Sequence, residues 1–293
     1  MKRMCIAMVL LMASTASMAD DDGVPRRGPT GLSVFANAGA VWADDVTANF
    51  YSGRPSNANT IERVLHSNTY GTQIWTDLRT DGLISPSVGS YNELQVAEYP
   101  EMYYRTSYNI GLGLRYDYAS GFGWLLRFDM ARLEAIGAFN LSSNNGTGRL
   151  GSNQYVRCGM LGKEDRIYID LALTRTVDIG AGLCVEVDLG LNLNNTKVRD
   201  NLMEINGSSF SILDVWGGRT PDAGVGDYEY VNQGGIGWGV FMSGYVGYRM
   251  EGVGAIKLGY TCHHSKTVLP DYTAMGWNHC LNLRFEINNF SFL

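Results

Sequence analysis

The 293-residue sequence predicts an all-β fold: a closed, antiparallel, up-and-down transmembrane β-barrel of eight strands, or of ten, with long loops at one end. Three observations predict it. Apolar and polar residues alternate with period two over stretches long enough to cross a bilayer. Tyrosine stands at both ends of the clearest apolar face, with aliphatic residues in its middle. The links between the stretches are short and long in turn. Composition agrees, because 36 glycines and 17 tyrosines in a chain only 18% charged suit neither a helical bundle nor a disordered polymer. A formal charge of -6 supplies no basic excess for a nucleic-acid partner.

The first segment reads as an address. Lys2 and Arg3 precede an apolar stretch, Met4 to Ala13, that is too short to span a bilayer. Ser17-Met18-Ala19 then offers small residues at the two positions a signal peptidase reads. Residues 1–19 are therefore expected to be a signal peptide, 20–30 a short periplasmic segment and 31–293 the barrel. Removing Lys2 and Arg3 takes the charge from -6 to -8. No later apolar run is long enough for a transmembrane helix.

The first strand, 31–42, alternates weakly through Leu32, Val34, Ala36, Ala38, Ala40 and Trp42. The second, 103–118, is the clearest. Its even positions run Tyr104, Thr106, Tyr108, Ile110, Leu112, Leu114, Tyr116 and Tyr118, against Arg105, Asn109, Arg115 and Asp117 at odd positions. Successive side chains on a strand point to opposite faces, so one face is apolar and the other polar. Aromatic rings at two interfaces with hydrocarbon between them is the order a bilayer imposes. The third strand, 122–136, places Phe122, Trp124, Leu126, Phe128 and Met130 on one face. The fourth, 165–178, uses Ile167, Ile169, Leu171 and Leu173, and the fifth, 181–194, the odd residues from Leu183 to Leu193. The sixth, 236–250, carries Ile236, Trp238, Val240, Met242, Val246 and Tyr248. The seventh and eighth, 252–264 and 277–288, carry Ile256, Leu258 and Tyr260, and Leu281, Leu283, Phe285 and Ile287. Each exceeds the about 9–11 residues a tilted spanning strand needs.

The links after strands two, four and six are tiny. Those after one, three, five and seven run to about 60, 28, 41 and 12 residues. Short turns at the periplasmic end and long loops outside are what a spanning barrel requires. A segment at Thr69–Thr76 in the first long link could add a strand pair, raising the count to ten, or stand as a hairpin above the membrane. In these features the chain resembles the bacterial outer-membrane β-barrel superfamily, specifically its small eight-stranded members. That resemblance implies an outer-membrane location and lipid as a partner. The chain ends at Leu293 rather than on the aromatic residue common in such proteins.

The polar face yields an inward set of charges. The cations are Arg105, Arg115, Arg127, Arg249, Lys257 and Arg284; the anions are Asp117, Asp129, Asp170, Glu186, Asp188 and Glu286. Eight strands leave room only for side chains, and unpaired buried ions cost several kcal/mol, so the lumen is expected to be plugged by salt bridges. Function then falls to the loops, 137–164 and 195–235, rich in Asn, Ser and Gly, where a protein or glycan partner would bind.

Of the residues that could carry chemistry, the four cysteines left after cleavage come first. Cys262 and Cys280 face opposite sides by strand parity, Cys184 lies near a periplasmic turn and Cys158 in an outer loop, so all four are expected unbridged. No spacing reads as a zinc site, and no cofactor is implied. His263 and Ser265, with Gly276-Trp277-Asn278 nearby, resemble the His-x-Ser of outer-membrane lipid A deacylases, though Lys266 stands where that family has Asn. Parity turns both residues inward, away from lipid. No catalytic residue is assigned. The expected role is a non-catalytic envelope protein acting through its loops, with a lipid-modifying enzyme or a small porin-like channel as alternatives.

Overall fold

A computed structural model describes residues 30–144, 155–213, 233–250 and 253–288. The expected signal peptide, most of the periplasmic segment, Asn145, Asn153 and the C-terminal Leu293 lie outside them. Among these described residues eleven strands form one antiparallel sheet. They are β1 (Gly31–Trp42), β2 (Leu94–Glu98), β3 (Tyr103–Tyr104), β4 (Ser107–Asp117), β5 (Phe122–Ser143), β6 (Val156–Gly180), β7 (Leu183–Ile205), β8 (Ser208–Ser211), β9 (Gly234–Met250), β10 (Gly254–Leu269) and β11 (Tyr272–Ile287). Eight of them close a ring in the order β1, β4, β5, β6, β7, β9, β10, β11 and back to β1. Closure leaves no open edge, which hydrocarbon would penalise at every unpaired N–H and C=O. The spanning count is eight; β2, β3 and β8 are short additions at the outer end.

Alternation sorts the side chains as expected. Leu112, Leu173, Leu191 and Ile236 stand on the outside, each more than 60% exposed. Arg115, Arg127, Asp170 and Arg284 on the inside are fully buried. The periplasmic turns use left-handed backbone: Gly121 at φ 78° in one, and Gly180, Ala181 and Gly182 at φ 98°, 53° and 79° in the next.

At the outer end the strands outrun their sequence-predicted limits. β5 continues past residue 136 to Ser143, and β6 begins at Val156 rather than 165, pairing with β5 up to Leu141 and Val156. β7 runs on to Ile205 and returns as β8 through Asn206-Gly207, both at positive φ (51° and 80°), as a tight hairpin needs. The described residues of the loops expected at 137–164 and 195–235 are thus largely sheet. The cause is an inversion of polarity. Beyond Ala131 the buried inner positions of β5 are Leu133, Ala135, Phe139 and Leu141, while Arg132 and Glu134 face outward. Above the bilayer the outside is water, so the apolar face turns inward. The link between β10 and β11 shrinks from the expected 12 residues to Pro270-Asp271, because both strands extend likewise.

The first long link folds into a small helical cap. It contains α1 (Asp45–Ala48), a 3₁₀ turn (Asn49–Ser52), α2 (Ile61–Leu65) and α3 (Tyr70–Thr80). The strand or hairpin expected at Thr69–Thr76 is instead α3. Its buried residues Gly71, Ile74 and Leu78 fall at spacings of three and four, the period of a helix. Asp44 caps α1 through the Val46 N–H, and Thr60 caps α2 through the Arg63 N–H. Phe50, Tyr51, Ile61, Leu65, Ile74, Leu78 and Val88 then pack on the inner faces of the extended strands, against Phe139, Met160, Met203 and Ile205. Cys158, expected in a loop, is buried in this core on β6.

The seat of Tyr51 depends on one small residue. A Cβ at Gly162 would lie 2.2 Å from the Tyr51 ring. Gly162→Val is expected to expel the ring and loosen the cap at a cost of about 1–3 kcal/mol, typical of an overpacked core. Faster cleavage within residues 43–102 by a soluble protease, with the barrel still resistant to SDS at room temperature, is the expected readout.

Candidate functional site

The bore is filled at three successive levels. Nearest the periplasm, Glu186 accepts from three cations: Arg115, Lys257 at 2.6 Å and Arg284 at 2.5 Å. Arg115 also binds Asp117 at 2.7 Å, and Lys257 reaches Glu286. The Arg284 guanidinium lies 3.9 Å from the centre of the Tyr245 ring and 4.4 Å from that of Phe35, so aromatic faces fill the space around the charge. At the middle level Arg127 contacts Asp170, and Asp129 at 2.9 Å, with its guanidinium 5.0 Å from the Phe241 ring. Asn192 donates to Asp170 at 2.6 Å.

The top level joins the barrel to the cap. Arg166 holds Glu164 at 2.5 Å and donates to Thr47 of α1 at 2.8 Å, Tyr104 at 3.1 Å and Asn278 at 3.2 Å. Tyr51 donates its hydroxyl to the other Glu164 oxygen at 2.5 Å. Burial, and then the Glu164 charge, holds the Tyr51 phenol well above its ordinary pKa, so it remains a neutral donor. The cap is therefore bonded into the lumen by a charged network as well as by its apolar core.

This corrects the inward set read from the sequence. Arg105 is outside, its side chain 61% exposed and paired with Glu134 at 2.6 Å, because β3 and β4 are separate strands and parity breaks between them. Arg249 is only part-buried, beside Asp178. Arg166 and Glu164 are inside and were missed, although Arg166 sits one residue before Ile167 on the polar side of the same alternation. Among the described residues the fully enclosed cations are Arg115, Arg127, Arg166, Lys257 and Arg284. They face Asp117, Asp129, Glu164, Asp170, Glu186, Asp188 and Glu286.

His263 and Ser265 point inward, as parity requires, and are 2% and 1% exposed. His263 Nε2 is 3.0 Å from Asp170, and its ring stacks on Tyr168 at 5.0 Å. Both side chains are buried on the inner face of β10, turned away from the lipid-facing side of the wall. The resemblance to lipid A deacylases therefore gains nothing from the structure. The four described cysteines, Cys158, Cys184, Cys262 and Cys280, are unbridged and buried.

Removing Glu186 would leave three buried cations facing fewer carboxylates. Glu186→Gln is expected to destabilise the barrel by about 3–5 kcal/mol, the usual cost of breaking a buried ion pair. Arg105→Gln, at an exposed pair, should change stability little. Urea unfolding in lipid vesicles, followed by tryptophan fluorescence, compares the two.

No family model matches the sequence, and no curated protein matches it. Solved structures do align with it. Neisserial surface protein A aligns at 9% identity and a TM-score of 0.40, covering 89% of this chain and 99% of that one. The outer membrane protein OprG from Pseudomonas aeruginosa aligns at 8% and 0.38, covering 89% and 99%. Ail, the attachment invasion locus protein of Yersinia pestis, solved with the heparin analogue sucrose octasulfate, aligns at 9% and 0.32, covering 88% and 100%. The assignment of the chain rests on its own geometry. A closed ring of eight antiparallel strands, aliphatic outside and ion-paired within, is the architecture of a small membrane-spanning β-barrel.

Proposed function

We propose that this protein is a non-conducting, non-catalytic outer-membrane barrel that presents a folded head to the exterior, where a protein or glycan partner binds. In this reading residues 1–19 direct export and are removed. The observation that carries the proposal is the continuity of the cap core with the inner faces of β5, β6, β7 and β8. A loop that served only to link two strands would have no need of a buried cluster containing Phe50, Tyr51, Ile61, Leu65, Ile74 and Leu78. A rigid platform of this kind fixes the positions of loop residues at its surface, which lowers the entropy lost when they bind. The ion-paired bore below and the bonded cap above support the non-conducting half of the reading. A pore would more often show a ring of one sign around open space.

Two experiments test it. In planar bilayers the purified protein is expected to show no steady conductance; a stable, large unitary current would overturn the closed-lumen half. On arrays of surface glycans and extracellular proteins, the intact protein is expected to register a partner. Ile74→Asp, which puts a charge into the cap core, should abolish that signal while the barrel keeps its SDS resistance. Binding indifferent to Ile74→Asp would remove the cap from the role.

A further inference from the structure

The polarity inversion described above leaves a band of charge on the outer wall, directly above the lipid-facing belt. The belt ends in a transverse row that includes Ile110, Met130 and Ile167, which pair across β4, β5 and β6. Two residues further up, about 7 Å along a strand, the next outward row is Arg132, Asp165 and Lys197, which are register partners across β5, β6 and β7. The row beyond holds Glu134, Lys163 and Asp200, again in register, with Arg105 against Glu134 and Arg199 against Asp165.

These two rows, with Arg105 and Arg199 paired to them, carry five cations, Arg105, Arg132, Lys163, Lys197 and Arg199, against three carboxylates, Glu134, Asp165 and Asp200. Asp165 is shared by Arg132 at 3.0 Å and Arg199 at 3.4 Å, so one carboxylate faces two guanidiniums. The side chains remain open: Arg105, Arg132 and Arg199 are 61%, 52% and 50% exposed. At the same height on the opposite flank, β10 and β11 present His264 stacked on Trp277 at 4.3 Å, with Lys266 beyond. Among the described residues at this level the excess of positive charge lies on the β4–β7 side, at the depth where a bilayer places its headgroups.

We propose that this flank binds the phosphate groups of lipids in the outer leaflet. Arginine offers a planar fork of N–H donors that matches phosphate oxygens, and lysine a compact charge beside it. Apolar side chains immediately below would meet the acyl chains of the same molecules, so one lipid contacts both parts of the wall. The flank becomes a preferred seat for phosphorylated lipid, while the opposite flank offers the His264–Trp277 stack and a single lysine, Lys266. This rests on the transmembrane reading given above and adds to it a site and a ligand chemistry.

The test inserts the protein into vesicles containing a bis-phosphorylated glycolipid or its dephosphorylated form, then extracts it in mild detergent and weighs the retained lipid by mass spectrometry. Wild-type protein is expected to retain the phosphorylated form at least severalfold more. Combined Arg132→Gln, Lys197→Gln and Arg199→Gln should abolish the preference. Arg175→Gln, at the periplasmic end, should preserve it. Equal retention of both lipids by wild type, a preference surviving the triple change, or an equal loss in Arg175→Gln would overturn the proposal. Failure to insert into either vesicle would instead overturn the transmembrane reading beneath it.

Discussion

The structure depends on one constraint: within hydrocarbon, a backbone N–H or C=O finds no water. Eight strands meet it by pairing each neighbour and closing β1 onto β11. Closure then forces the rest. A ring of eight encloses a space no wider than its own side chains, and alternation sends every second residue into it. The sequence must fill that space with groups that tolerate one another. It uses arginines whose planar heads lie against Phe35, Phe241 and Tyr245 while their N–H groups meet carboxylates.

The same logic extends upward. Glu164 and Arg166 would be a buried ion pair open to water at the mouth if nothing covered them. Tyr51, Thr47 and Tyr104 supply hydrogen bonds from the cap side, and the apolar core above excludes solvent. Cap and barrel are in this sense one folding problem. The first long link is ordered because the inner faces of β5 to β7 are apolar there, and those faces are apolar because the link covers them.

The spanning ring was legible in the sequence because a bilayer writes a simple rule, apolar outward and polar inward, along every strand it surrounds. That rule located β4 and β11 to within a few residues and fixed the inward parity of Arg127, Asp170 and His263. It failed where the solvent changes. At Arg132 on β5 and Asp165 on β6 the outward face turns polar, so a search for outward aliphatics stops there although the strands continue. α3 was illegible for a different reason. Its buried positions are a glycine, Gly71, and two aliphatics, Ile74 and Leu78, too sparse to show a helical period without the strands they cover. The lumenal pairing was legible as a balance of charges but not as a network, since which carboxylate meets which cation depends on register.

The unequal heights of the wall have a consequence of their own. β5, β6 and β7 run for 22, 25 and 23 residues, while β1 and β4 have 12 and 11. The molecule is therefore handed as seen from above: a tall parapet stands along one arc of the rim, and the other arc is low. A cylinder of uniform height would look alike to every neighbour drifting past in the plane of the bilayer. This one has a front and a back, so its rotation about the membrane normal becomes a coordinate that crowding can select.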